Sequence, residues 1–392
     1  MRKAFLAILL ILTVAGTGVA GCGQPEAAKK EEPKKEAPLV RVGLNAEITG
    51  SVPVVGQSCK NAALMAAEEV NAAGGLEVGG QKIKVQVFVE DNEDKAESAA
   101  AATQKLINQN QVLAMVGPNA SRNAIPAASV AESSKVPMIT PWSTNPKTTA
   151  DKKFVFRACF IDDFQGVVCA KFAENNLQAK TAAVLYDVAS EYNKGIAEIF
   201  KKTFESGGAK VVSFETYTTG DKDFSSQLTK IKNAKPDVLF LPNYYSEVPL
   251  QVQQAIRLGY KGKFLGSDSW GSPELVKLGG AAMEGHYFST HYAPDIATPV
   301  AQKFISAYKQ KYGSTPDDVA ALTYDSFGLL FQAIKAAGKL DRQAVRDALA
   351  SITKYTGVTG EMQFKGTGDP IKSAVILQIK GGEFKYFETA RP

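Results

Sequence analysis

The sequence predicts an α/β protein built as two doubly wound parallel-sheet lobes joined by three crossover segments. Three observations lead there. Short apolar runs of strand length alternate with helix-length segments along most of the chain, the pattern of a parallel sheet covered on both faces. After a leader and a tether, about 355 residues remain, more than one hydrophobic core comfortably serves. The stretch Val112–Thr149 (VLAMVGPNASRNAIPAASVAESSKVPMITPWSTNPKTT) holds two apolar strands with a helical segment between them, and each strand ends in hydroxyls, amides and prolines. In open parallel sheets ligands sit outside the carboxyl ends of strands. These two ends suit a small anionic group such as a carboxylate, although Gly, Pro, Ser and Asn are also ordinary turn residues.

In chain order, residues 1–21 read as a targeting segment. Arg2 and Lys3 make a basic start, and the apolar core Ala4–Val14 is too short for a good membrane span. Val19-Ala20-Gly21-Cys22 matches the cleavage box of bacterial lipoproteins, which predicts Cys22 as the lipidated first residue of the exported chain. Residues 22–38 (CGQPEAAKKEEPKKEAP) have no aromatic side chain and no apolar periodicity, so they read as a disordered tether. The formal charge is +5, of which Arg2 and Lys3 supply two, leaving about +3 on the exported chain. With 45% hydrophobic residues, that balance points to neither a nucleic-acid partner nor acidic lipid.

Lobe 1 is expected over residues 39–158 and 292–362, and lobe 2 over 159–291 and 363–392. Val40–Leu44 is strand-like, Glu47–Gly56 a loop, and Ser58–Val70 a helix stopped by Gly74-Gly75. Glu77-Val78-Gly79-Gly80 reads as a hairpin turn, Ile83–Val89 as a strand and Asp94–Gln109 as an Ala-rich helix. Val112–Val116 and Val136–Ile139 are the two strands of the opening stretch, with Ser and Asn near 119–121 placed to cap the helix between them. Phe154–Phe160 is extended where the chain leaves lobe 1. The second series has helices at Phe164–Glu174, Tyr192–Glu205, Phe224–Lys232 and Val248–Leu258, and strands at Ala182–Tyr186, Val211–Tyr217, Val238–Leu241 and Lys263–Leu265. His286–His291 is expected as a second crossing. Helices Val300–Tyr312, Ala320–Ala337 and Arg342–Ser351 follow, then a β-rich tail with Met362–Phe364 and Ala374–Ile379 that crosses once more, near Gln363.

VGPNAS followed by PMITPWSTNP resembles the amino-acid-binding signature of the periplasmic leucine/isoleucine/valine-binding protein family. The likeness runs from about Val40 to the C-terminus and includes NAAGG, FR....DDFQG, KDFSSQL and PDVLFLPNY. It implies a type I periplasmic binding protein fold and an extracytoplasmic solute-binding component of an ABC importer. Such a protein would bind an amino acid, branched-chain or otherwise aliphatic, and hand it to the permease. The resemblance further implies that Ser121 and Thr144 hold the ligand α-carboxylate with hydroxyls and backbone N–H groups, that Ser143 beside Thr144 is also ligand-binding, and that Trp142 offers its backbone carbonyl to the α-ammonium. In lobe 2 it implies Tyr192, Tyr244 and Asp268, the aspartate pairing with the ammonium once the cleft closes. Taken alone, Asp268 in Gly-Ser-Asp-Ser is also good turn chemistry, and the two tyrosines are also packing residues with a wet hydroxyl. Val55 and Trp142 depart from the family pattern at positions that shape the side-chain pocket, so another small carboxylate, such as an aromatic acid or an amide, is the alternative ligand. A sensory role is the alternative use.

An enzyme is not expected. There is no P-loop lysine motif and no nucleophile elbow, and His286 with His291 has no zinc-helix spacing. No cofactor or metal is expected. Cys59, Cys159 and Cys169 allow at most one internal bridge or none. The expected partners are the amino acid, the permease and, through the lipid anchor, the membrane, with the chain itself a monomer.

Overall fold

The computed structural model describes residues 37–392. The leader, Cys22 and nearly all of the tether lie outside the described residues.

Lobe 1 begins with β1 (Leu39–Ala46), α1 (Pro53–Ala72), β2 (Leu76–Val78), β3 (Gln81–Asp91), α2 (Ala96–Asn108), β4 (Ala114–Val116), α3 (Ser121–Ser133), β5 (Met138–Thr140) and β6 (Val155–Arg157). Its sheet has the order β2-β3-β1-β4-β5-β6, parallel except for the antiparallel β2–β3 hairpin. Val40, Val42, Leu44, β4 and β5 are buried because helices cover both faces, which is why these strands are mostly apolar. The expected helix at Ser58 begins five residues earlier, at Pro53. Proline fits a first helical turn, where its missing N–H costs nothing. Gly56 is also helical, and a Cβ there would lie 2.1 Å from the Glu47 carbonyl, so its bare backbone lets α1 press against the end of β1.

Lobe 2 follows with α4 (Asp162–Asn175), β7 (Thr181–Asp187), α5 (Glu191–Ser206), β8 (Lys210–Tyr217), α6 (Ser225–Ala234), β9 (Val238–Leu241), α7 (Val248–Arg257), β10 (Lys263–Gly266), α8 (Glu274–Gly279) and β11 (Tyr287–Thr290). The expected crossing at His286–His291 is therefore largely a strand. β11 pairs in parallel with β10 and antiparallel with β15, so the chain leaves lobe 2 only after Thr290. The chain then adds α9 (Pro299–Tyr312), α10 (Asp318–Ala337) and α11 (Arg342–Ser351), with α10 packed on α1.

Next come β12 (Lys354–Gly357), β13 (Gly360–Phe364) and β14 (Pro370–Ile371), a small antiparallel sheet of their own, before β15 (Ala374–Lys380) and β16 (Glu383–Ala390) close the second sheet. Gln363 sits inside β13, and the last crossing falls between β14 and β15. Turn residues and short polar strands there carry too little apolar signal to separate a small sheet from a connection. The second sheet runs β16-β15-β11-β10-β9-β7-β8, parallel from β8 to β11 with an antiparallel edge.

Both sheets are doubly wound. In lobe 1 the strand order reverses at β1, between β3 and β4. In lobe 2 it reverses at β7, between β8 and β9. The carboxyl ends flanking those switch points are where crevices form.

Candidate functional site

The residue before each crevice sets its shape. Gly117 follows β4 with φ +84°, and a Cβ on it would stand 2.0 Å from the Asn45 carbonyl oxygen, so only glycine lets the ends of β4 and β1 meet this closely. That approach brings Glu47 beneath the start of α3. Glu47 is fully buried, and its carboxylate accepts from Asn119 N (3.1 Å), Asn119 Nδ2 (2.9 Å), Ala120 N (3.0 Å) and Asn123 Nδ2 (3.0 Å). Burial, then the charge of Asp94, pushes the Glu47 carboxyl up, against those hydrogen bonds. No side chain caps α3 itself, contrary to the expected Ser/Asn cap. An uncapped helix start at Ser121 suits an anion.

Between the lobes, a narrow crevice with about 170 Å³ of non-atom space, part of it open to solvent, is lined by Asn119, Ser121 and Trp142 from lobe 1 and by Tyr192, Tyr244 and Asp268 from lobe 2. Five of the seven expected site residues thus come together, each just past a strand end. Ser143 and Thr144 do not line it. Ser143 lies behind, its Oγ 2.9 Å from Ser121 Oγ and 2.7 Å from Thr148 Oγ1, and the buried Thr144 hydroxyl has no hydrogen-bond partner. A larger space of about 1170 Å³, part of it open to solvent, is bordered by Tyr292, Lys309, Asp317 and Phe384 and contains none of the seven. The narrow cleft is the better candidate because both switch points feed it.

Asp268 opens a short 3-10 turn, Asp268–Trp270, pinned by the buried indole of Trp270, whose Nε1 donates to the Leu241 carbonyl at 3.0 Å. The carboxylate is therefore both a turn residue and a wall of the cavity. Its Oδ1 lies 2.5 Å from the Tyr192 hydroxyl and accepts from Gln165 Nε2 at 2.9 Å. Its Oδ2 lies 3.0 Å from His291 Nε2. Burial pushes the His291 imidazole down to about 4, so it donates as a neutral ring, stacked 3.9 Å from Phe160. All three partners are neutral donors. The Asp268 carboxylate lacks a cationic partner among its hydrogen-bond donors, and it faces a cavity whose other side carries Ser121.

The lobes meet around this cavity. Trp142 and Tyr244 rings lie 6.1 Å apart, Tyr192 and Tyr244 5.7 Å apart, and the Arg122 guanidinium, paired with Asp94, sits 4.8 Å over the Tyr244 ring. Trp142 Nε1 donates to Asp318 Oδ2 at 3.1 Å, which fixes the indole across the cleft wall. Val54 N donates to the Tyr245 hydroxyl at 3.3 Å, and Asn145 Nδ2 to the Glu191 carbonyl at 2.9 Å.

Sequence reasoning missed Glu47, Gln165, His291 and Arg122. Gln165 stands inside the FR....DDFQG motif and His291 at the end of the expected crossing; their shared partner, Asp268, is distant in sequence. Cys59, Cys159 and Cys169 are free and buried, and burial pushes all three thiols up to about 12, which leaves them inert packing groups. Among the described residues no cluster could hold a metal ion, and no helix is long and apolar enough to cross a membrane.

Two α/β lobes meeting at a cleft fed by both switch points define a two-lobed solute-binding protein. The chain belongs to the periplasmic binding protein family, whose model matches residues 39–383. It is 33% identical over 335 residues to the leucine-, isoleucine-, valine-, threonine- and alanine-binding protein of Pseudomonas aeruginosa, covering 85% of this chain and 87% of that one. Among solved structures it is similar to the leucine-binding protein LivK of Thermotoga maritima (36% identity, TM-score 0.85, 90% of this chain and 99% of that one). It is also similar to the branched-chain amino acid transporter substrate-binding protein LivJ of Streptococcus pneumoniae in complex with isoleucine (31% identity, TM-score 0.85, 91% and 100%). The fold is that of the type I periplasmic binding proteins, a family of solute binders rather than enzymes.

Proposed function

We propose that the protein captures an amino acid with a branched or other aliphatic side chain outside the cytoplasm and delivers it to an ABC permease. The observation that carries this reading is Asp268, a buried carboxylate held by three neutral donors on the cavity wall opposite Ser121 and the uncapped start of α3. One wall suits an ammonium and the other a carboxylate, which together describe a zwitterion. A simple carboxylate ligand would set its charge against Asp268 and leave that acid unpaired, so this arrangement disfavours the small-acid alternative. The ligands of the relatives, leucine, isoleucine and valine among them, agree with the three aromatic rings, Trp142, Tyr192 and Tyr244, on the cavity wall. In this reading lobe 1 receives the carboxylate first and lobe 2 closes on the ammonium, a hinge motion driven by contacts that exist only in the closed state.

A thermal-shift screen of the twenty amino acids and small carboxylates tests it. Ligand at 100 times its Kd stabilises by about 2.7 kcal/mol, so branched-chain amino acids should raise the melting temperature visibly while benzoate and acetate do not. A shift with simple acids alone would refute the reading.

The same proposal includes the lipid anchor. Val19-Ala20-Gly21-Cys22 and the charged, Pro-containing tether after it motivate a mature N-terminus at a lipidated Cys22, with a monomeric binding domain tethered to the membrane surface. Mass spectrometry of membrane-extracted protein should find a diacylated or triacylated Cys22 peptide. An unmodified N-terminus elsewhere would exclude the anchor.

A further inference from the structure

One buried acid beside the cleft takes no part in the grip described above. Asp162 opens α4, directly after the first crossing, and its side chain is wholly buried. Neither carboxyl oxygen has a hydrogen-bond partner, and the Thr144 hydroxyl beside it has none either. The two side chains are near enough to influence each other without reaching hydrogen-bond geometry. The Asp162 backbone N–H donates to the Thr144 carbonyl at 2.9 Å. On the other side stands Gly195 of α5: a Cβ there would lie 3.6 Å from Asp162 Oδ2 and 3.2 Å from Asn145 Nδ2. Asn145 and Lys147 both contact Glu191, at 2.9 Å and 2.6 Å. Asp162 is therefore roofed by the contact between the lobes, with Thr144–Lys147 on one side and Glu191–Gly195 on the other. Separating the lobes opens that roof to water.

The charges facing Asp162 give it little help. Asp268 and Asp163 oppose a negative charge, and Arg157 is the cation that favours one. Arg157 is already committed, with Nε to Asp369 at 2.6 Å, Nη1 to the Ser143 carbonyl at 2.6 Å, and Nη2 to the Asn145 carbonyl and Thr149 Oγ1 at 3.0 and 2.6 Å. The Tyr192 hydroxyl is engaged with Asp268 and Ser267. The start of α4 favours an anion through its dipole, yet none of its N–H groups bonds the carboxyl.

We propose that closing the cleft places a proton on Asp162, so that ligand binding is coupled to proton uptake. This rests on the reading of the cleft as a ligand site that closes on its ligand. In the closed form burial, followed by the nearby charge of Asp268, pushes the Asp162 carboxyl up to about 8. With the lobes apart and water admitted, an aspartate titrates near its ordinary value of about 4. Between those two values the closed form holds one proton more than the open form. Closure is then strongest at the low end of the window and weakens as pH rises through it. Kd should rise by up to about tenfold per pH unit through neutrality and level off above roughly pH 8.

Calorimetric titration of the full chain with L-leucine, in two buffers of different ionisation enthalpy at pH 7.5, reads the proton count directly. An ordinary imidazole is already mostly neutral there. The expected result is uptake of about three-quarters of a proton per leucine bound. Asp162→Asn should abolish the uptake and give an affinity that is flat from pH 6 to 8.5. Leucine binding without uptake in the wild type, or uptake unchanged in Asp162→Asn, overturns the inference while leaving the binding function standing. Failure of every amino acid to bind at any pH would remove both. If Asp162→Asn does not fold, the wild-type proton count and the slope of Kd with pH decide the matter alone.

Discussion

Asp268→Asn is expected to weaken amino-acid binding by about 30- to several-thousand-fold. The substitution keeps the shape of the side chain and removes the charge that would meet the ligand ammonium in a site largely emptied of water. Losing one partner of such a pair costs roughly 2–5 kcal/mol, and about 1.4 kcal/mol is a decade of affinity. The asparagine also turns an amide toward Gln165 Nε2 or His291 Nε2, both of which donate to the native carboxylate, so part of the loss comes from the support as well. Ser121→Ala should cost less, about 1.5–3 kcal/mol at most, because backbone N–H groups at the start of α3 remain. Calorimetry on both variants, with fold checked by circular dichroism, reads the order. Binding of Asp268→Asn within threefold of wild type would mean that Asp268 serves the turn alone.

Glu47→Ala is expected to destabilise the protein by about 3–5 kcal/mol and to abolish tight binding. It strands three buried donors, the N–H groups of Asn119 and Ala120 and the side-chain amide of Asn119, and removes one of the two acceptors of the Asn123 amide, which keeps Asp94 Oδ1 at 2.9 Å. Each buried donor left unsatisfied costs about 1–3 kcal/mol, with partial relaxation limiting the sum. The same donors place Ser121, so the ligand site loosens with the fold. Glu47→Gln keeps the volume and one acceptor oxygen and should fall between wild type and alanine. Chemical denaturation with and without ligand measures both effects. A Glu47→Ala midpoint equal to wild type would show that α3 holds its place without the acid.

What the sequence reveals follows physical range. The central strands announce themselves because burial on both faces leaves no polar position in β4 or β9, and in β5 only the terminal Thr140. The start of α1 is hidden because Pro53 and Gly56 are helix-breaking residues by composition but helix-compatible in place. One belongs in a first turn, and the other is needed for the approach to Glu47. β11 resembles a connector because it is only four residues long between two histidines. Ser121, Trp142, Tyr192, Tyr244 and Asp268, named through the family resemblance, line one crevice because each follows a strand end. Glu47 and Gln165 are not legible, since their partners lie 72 and 103 residues away and no local pattern records the pairing. His291 is a third case. Its role is a neutral donor created by burial, and an isolated histidine in a sequence does not state its own protonation.

The central claim is that the cleft grips both ends of a zwitterion. Its most direct test is a pair of calorimetric titrations that compare L-leucine with 4-methylpentanoic acid, the same molecule without its amino group. Losing the ammonium leaves Asp268 buried against an apolar carbon, and the account predicts affinity for the desamino acid at least about 30-fold weaker, with binding of leucine itself intact. Equal affinities for the two would contradict it, because Asp268 would then contribute nothing to recognition.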